Sequence, residues 1–152
     1  MNATAPDVVI FSDVIPFITG KELDILDITG EIRKRVEASG VQEGIAHLFV
    51  AGQTVALTTI EFESGAVSDL KNTIRRISPD DIRYMHNERW GDGNGRSHVR
   101  AALLGPDLTI PVRDGDLLLG TWQQVVLAEL DLRGRSRAVQ LTVIGRRPLT
   151  GG

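Results

Sequence analysis

The sequence predicts a mainly β, single-domain protein: an antiparallel β-sandwich or barrel carrying two to three short helices. Three observations carry that prediction. Short runs of β-branched and aromatic residues recur with turn signals spaced by about 8–12 residues. Only two stretches show a convincing helical period. And 152 residues with 41% hydrophobic and 24% charged side chains make one ordinary globular unit, residues 1–152, with 148–152 as a loose tail.

Taken in order, Val8-Val-Ile-Phe opens as a strand, and Ile15-Pro-Phe-Ile follows with Pro16 restricting it to an edge. Ile25–Thr29 reads as a further strand leading into a helix, with Thr29 as N-cap, Ile28, Ile32 and Val36 as its apolar stripe and Gly40 as its stop. Ile45–Val50 is apolar on both faces, which predicts an interior strand with a buried, hydrogen-bonded His47, or one covered by a neighbouring subunit. Thr54–Glu63 is a threonine-rich strand that would place Glu61 and Glu63 on one side.

From Ala66 the period changes, and Val67, Leu70, Ile74 and Ile77 form the stripe of an amphipathic helix. Ser78-Pro-Asp-Asp restarts the chain as a turn or short helix. After His98 the reading returns to strands: Val99–Leu104, Leu108–Val112, Leu117–Leu119, Thr121–Leu127 and the alternating Arg137–Ile144.

The stretch from Tyr84 to His98 stands apart, with two of the three histidines, one of the two tryptophans and a Gly-Asp-Gly-Asn-Gly run. Glycines at 91, 93 and 95 let the chain fold back tightly, so His86 and His98 can meet. Paired imidazoles suit a transition metal, with Glu88 or Asp92 adding oxygen, or metal-free proton transfer near neutral pH. An EF-hand register fails, because it puts Trp90 and Ala101 where carboxylates are required.

Trp90 and Trp122 could sandwich a flat heteroaromatic ring, and Gln123 offers both donor and acceptor to its edge. Arg133, Arg135 and Arg137 alternate on one face, suited either to phosphate oxygens or to a solvated edge strand. A formal charge of −3 gives no case for nucleic acid or an anionic membrane as partner. With no cysteine, no signal peptide and no membrane-length apolar run, the expectation is a soluble cytoplasmic protein.

Thr54-Val-Ala-Leu-Thr-Thr-Ile-Glu-Phe-Glu, Asp69-Leu70, the His86–His98 stretch and Gly120-Thr-Trp-Gln-Gln together resemble the YjbQ family, often called secondary thiamine-phosphate synthases. The resemblance implies a compact β-sandwich or barrel, a homotrimer with pockets near subunit interfaces, and coupling of a thiazole phosphate to a pyrimidine methyl diphosphate with release of diphosphate. It implies a phosphorylated small-molecule substrate and, on the leaving diphosphate, either a divalent cation, magnesium or a transition metal, or arginines. By the same resemblance Glu61, Asp69, His86, Asp92 and His98 are the catalytic set and Asn94, Trp122, Gln123 and Arg137 the substrate-binding set, with His86 and His98 as candidate metal ligands. One departure concerns the histidine common in the family before its threonines: this chain has Gln53, a neutral amide that cannot act as an acid or base near pH 7. The rival readings are a non-catalytic binder of a phosphorylated or heteroaromatic metabolite and a metal-dependent hydrolase.

Overall fold

A computed structural model describes residues 7–148; residues 149–152 of the expected tail lie outside them. Two antiparallel sheets form the body. The larger has the order β1 (Val8–Ile18), β8 (Ser136–Arg146), β3 (Glu43–Val50), β5 (Asp107–Arg113), β6 (Asp116–Leu117). The smaller has the order β2 (Ile25–Asp27), β7 (Gln124–Glu129), β4 (Val55–Ile60). Strand alternation sorts the side chains. Leu48, Val139 and Leu141 of the large sheet meet Leu57, Val125 and Leu127 of the small one, and Ile28, Ile32 and Val36 of α1 (Thr29–Ser39) complete that core. The other face of the small sheet, Ala56, Val126 and Ala128, is closed by Ile74 of α2 (Ser64–Ile77) and Ala101 of α4 (Gly95–Leu104).

The mainly β antiparallel expectation holds, and several details differ. The two N-terminal runs are one strand, β1, and it is an edge strand as Pro16 requires. There are four helices among the described residues, the third being α3 (Met85–Trp90). Val99–Leu104, expected as a strand, is the body of α4. Its Ala-Ala-Leu-Leu core has high helix propensity, and Ser97, Arg100, Ala101 and Leu104 form the inward stripe, leaving Val99 and Leu103 exposed. Thr29 is the first helical residue rather than the cap. Asp27 Oδ1 accepts from its N–H (3.0 Å) and hydroxyl (2.7 Å), and Thr29 Oγ1 accepts from the Val125 N–H at 2.8 Å, which ties α1 to β7. Ser78–Asp81 is a bend without a helix.

β3 is interior, between β8 and β5, as expected. Its second apolar face, however, stays open, with Ile45 42% and Phe49 39% exposed. His47 stands on that open face, its Nε2 3.2 Å from Asp107 Oδ2, so it is a half-exposed surface histidine and not a buried one. β4 ends at Ile60 because Glu61–Glu63 turn into α2. Glu63 is that helix's N-cap, its carboxylate accepting from the N–H groups of Gly65 (2.6 Å) and Ala66 (2.9 Å), which hold its carboxyl below the ordinary range.

Candidate functional site

The glycine run turns the chain between two short helices. Gly91 and Gly93 adopt φ of 70° and 73°, a left-handed conformation costly to other residues, and Gly91 ends α3. Gly95 serves differently: a Cβ there would stand 2.6 Å from Tyr84 Cβ, so only hydrogen lets α4 start against the α3 cap. The Gly95 N–H donates to Asn87 Oδ1 at 2.7 Å, locking the two helices together.

This crossing brings His86 of α3 and His98 of α4 into contact, ring centroids 4.4 Å apart and planes tilted by 43°. Asp92 completes the group. His86 Nδ1 lies 3.2 Å from Asp92 Oδ1, but the N–H direction misses the oxygen, so Nδ1 is buried without a hydrogen bond. With its amide nitrogen facing the carboxylate, Asn94 donates to Asp92 Oδ1 (3.0 Å) and Oδ2 (3.2 Å). Glu88, the other candidate oxygen, is drawn away by Arg83, whose Nη2 is 2.7 Å from Oε2.

A frame that sequence reasoning missed holds α4 in place. Arg100 is 2% exposed and donates through Nε (3.0 Å) and Nη2 (2.7 Å) to the Ser78 carbonyl and through Nη1 (2.9 Å) to Glu22. Arg96 adds a second pair to Glu22 at 2.7 Å. Burial lowers the Arg100 guanidinium from its ordinary value while Glu22 opposes the shift. Tyr84 joins the frame through Ser78 Oγ (2.9 Å) and the Pro79 carbonyl (2.6 Å). Asn87 could have been suspected from its place beside the glycines. A buried arginine inside a run read as strand leaves no signal.

Among the described residues, the remaining predicted residues make no hydrogen bond, ion pair or ring contact with either histidine. Glu61 and Trp122 line a cleft with Asp27, Phe62, Glu63 and Gln124, and neither histidine nor Trp90 lines it. Trp122 precedes β7 in a turn and is 71% exposed, not a strand residue in the core. Gln123 braces that turn, accepting from the Gly120 N–H (3.0 Å) and donating to Thr59 Oγ1 (3.2 Å). Asp69 is exposed on α2 and, among the described residues, pairs with neither histidine.

Arg137 is buried against Glu129, Nη2 to Oε1 at 2.6 Å and Nε to Oε2 at 2.8 Å, and it also donates to Thr54 Oγ1 (2.9 Å). Burial alone would push the Glu129 carboxyl up. Hydrogen bonds from Arg137, Thr19 and the Asp131 N–H, with the Arg137 charge, hold it below the usual range. Asp131, beside it, is paired with Arg135. Gln53 lines a shallow notch with Phe49, Gly52, Val55, Pro106 and the α4 residues Ala101 and Ala102.

Among the described residues no group of three or more His, Asp or Glu side chains is placed to hold one metal ion. The arrangement is two imidazoles in contact, with His86 Nδ1 3.2 Å from a carboxylate that an amide holds still, a set of groups suited to proton transfer. No helix among the described residues is long and apolar enough to cross a membrane.

Comparison with known proteins agrees with the fold. Residues 14–146 match the family described as UPF0047 protein YjbQ-like. A UPF0047 protein of Methanothermobacter thermautotrophicus is 36% identical over 137 residues, covering 90% of this chain and 94% of that one. A UPF0047 protein of Mycobacterium tuberculosis is 34% identical over 133 residues, covering 88% and 97%. Among solved structures, a YbjQ-like protein of unknown function from Sulfolobus solfataricus P2 superposes with a TM-score of 0.88 at 32% identity, over 92% of this chain and all of the other. The chain belongs to the YjbQ-like UPF0047 family.

Proposed function

We propose that the His86–His98 pair is the proton-handling centre of a small-molecule transferase, and that the reaction is thiamine-phosphate synthesis from a thiazole phosphate and a pyrimidine methyl diphosphate. The observation that carries this is the imidazole contact at 4.4 Å with Asp92 beside His86 Nδ1. In the reaction the thiazole nitrogen forms a bond to the pyrimidine methylene as the carbon–oxygen bond to diphosphate breaks. The electron pair leaves on diphosphate oxygen. A protonated imidazole of the pair meets that oxygen as a general acid, Asp92 steadies the cationic form through His86, and Asn94 holds Asp92. A divalent cation, magnesium or a transition metal, would neutralise charge on the leaving diphosphate, bridging it to one or two side chains of the site.

The same reading takes the chain to be a cytoplasmic homotrimer. Self-association is supported by the open face of the large sheet, where Ile10 (72% exposed), Ile144 (38%) and Ile45 (42%) lie in register across three strands, beside Pro111 on a fourth; the three-fold order and the location follow from the family resemblance. Light scattering that gives a monomer at micromolar concentration would remove that part.

The activity is tested by incubating the purified protein with both substrates and measuring diphosphate release. His86→Ala and His98→Ala should each lower the rate about a hundredfold or more. Tight substrate binding without turnover in the unsubstituted protein would replace the enzyme by a binding protein.

A further inference from the structure

The small sheet ends in a second site. At the carboxyl ends of β2 and β4 and the amino end of β7 lies a cleft of about 360 Å³, lined by Asp27, Glu61, Phe62, Glu63, Trp122 and Gln124. Three of these are carboxylates, and no lysine, arginine or histidine lines it. Two are aromatic rings left open to solvent, Phe62 at 45% and Trp122 at 71%. Large rings exposed beside a cavity are surfaces a ligand can cover, and an aromatic face attracts positive charge.

The local backbone argues against an anion. The amino ends of α1 and α2 both open here, and each would draw a negative group. Both are already served from within the chain: Asp27 Oδ1 accepts from the Thr29 N–H at 3.0 Å, and Glu63 accepts from Gly65 and Ala66 at 2.6 and 2.9 Å. Those two carboxylates are fixed in place and set against the helix dipoles. Glu61 is different, because its carboxylate has no hydrogen-bond or ion-pair partner among the described residues. The turn that carries Trp122 is also braced, since Gln123 ties it to Gly120 and Thr59 (3.0 and 3.2 Å). A volume near the lower end of ligand cavities, about 300–1,000 Å³, suits one small ring or a short alkylammonium.

We infer that this cleft is a binding site for a small organic cation, an alkylammonium or a protonated heteroaromatic ring, held between Phe62 and Trp122 with Glu61 as its counter-charge. It does not depend on the histidine pair, so loss of the transferase reading would leave it standing.

The test uses the full chain with Trp90→Phe, so that Trp122 is the sole fluorescent indole. Choline is titrated against its uncharged isostere 3,3-dimethylbutan-1-ol and against inorganic diphosphate. Choline should change the Trp122 emission saturably, with a Kd at least tenfold below that of the alcohol, and diphosphate should have no effect. Glu61→Gln should weaken choline about tenfold, whereas Asp81→Asn, an exposed acid away from the cleft, should leave it unchanged. Calorimetry on Trp122→Leu should detect no choline binding. Equal affinity for the alcohol, a linear and non-saturating change, insensitivity to Glu61→Gln, or displacement of choline from the cleft by diphosphate would each overturn the inference.

Discussion

Two groups of charged and titratable residues sit in this fold under opposite conditions. The Glu129–Arg137 pair is buried on both sides, 0% and 8% side-chain exposure, and every carboxylate oxygen of Glu129 is met by Arg137, Thr19 or the Asp131 N–H. The histidine pair is half open, and one of its nitrogens is buried without a hydrogen bond 3.2 Å from a carboxylate. The first group has its carboxylate fully met from within the chain and holds β8 to β7 and to Thr54 at the entry of β4. The second keeps unspent donors and acceptors, which is what chemistry on a substrate requires. Titratable residues in this chain thus divide into those satisfied by the fold and those the fold holds ready.

The largest effect should come from breaking the satisfied group. Arg137→Met leaves Glu129 charged and unpaired in the interior, and urea unfolding should report a loss of about 3–5 kcal/mol. Arg100→Met should follow at about 1.5–3 kcal/mol by the same measurement, since it removes charged hydrogen bonds to Ser78 and Glu22. Gly95→Ala forces Tyr84 Cβ away from a 2.6 Å approach. It should cost about 1–3 kcal/mol as overpacking. It should also separate the imidazoles, lowering turnover even where the protein stays folded.

The acid side of the comparison has a definite sign. The Glu129 carboxyl is held below its ordinary value of 4.5 in the folded state. Its contribution to stability is therefore complete above that value and is lost as pH falls through the lower, folded one. Urea midpoints followed below pH 4.5 should fall less steeply in Glu129→Gln than in the unsubstituted protein. The smallest stability effect should be that of His98→Ala, on a partly exposed ring: within about 1 kcal/mol.

Much of this was readable in the residues. Pro16 marked an edge strand, Gly40 a helix end, and the glycines at 91 and 93 a reversal that brings His86 to His98. What escaped did so for physical reasons. Val99–Leu104 is apolar apart from Arg100, and a run that short does not separate a buried strand from a helix by period, so α4 and its buried Arg100 were hidden. Glu61 and Glu63 looked equivalent at spacing two, yet one caps α2 and the other faces an open cleft. Arg137 looked free for phosphate because its partner, Glu129, is brought beside it only by tertiary pairing. Side-chain type and spacing proposed the participants, and the chain reversal and sheet order decided their company.

The central claim is that Asp92 and the two imidazoles act as one proton-handling unit. It is tested most directly by single-turnover diphosphate release from the pyrimidine substrate in Asp92→Asn. The account predicts a rate lowered about a hundredfold or more with the urea midpoint unmoved. A rate equal to that of the unsubstituted protein would contradict it.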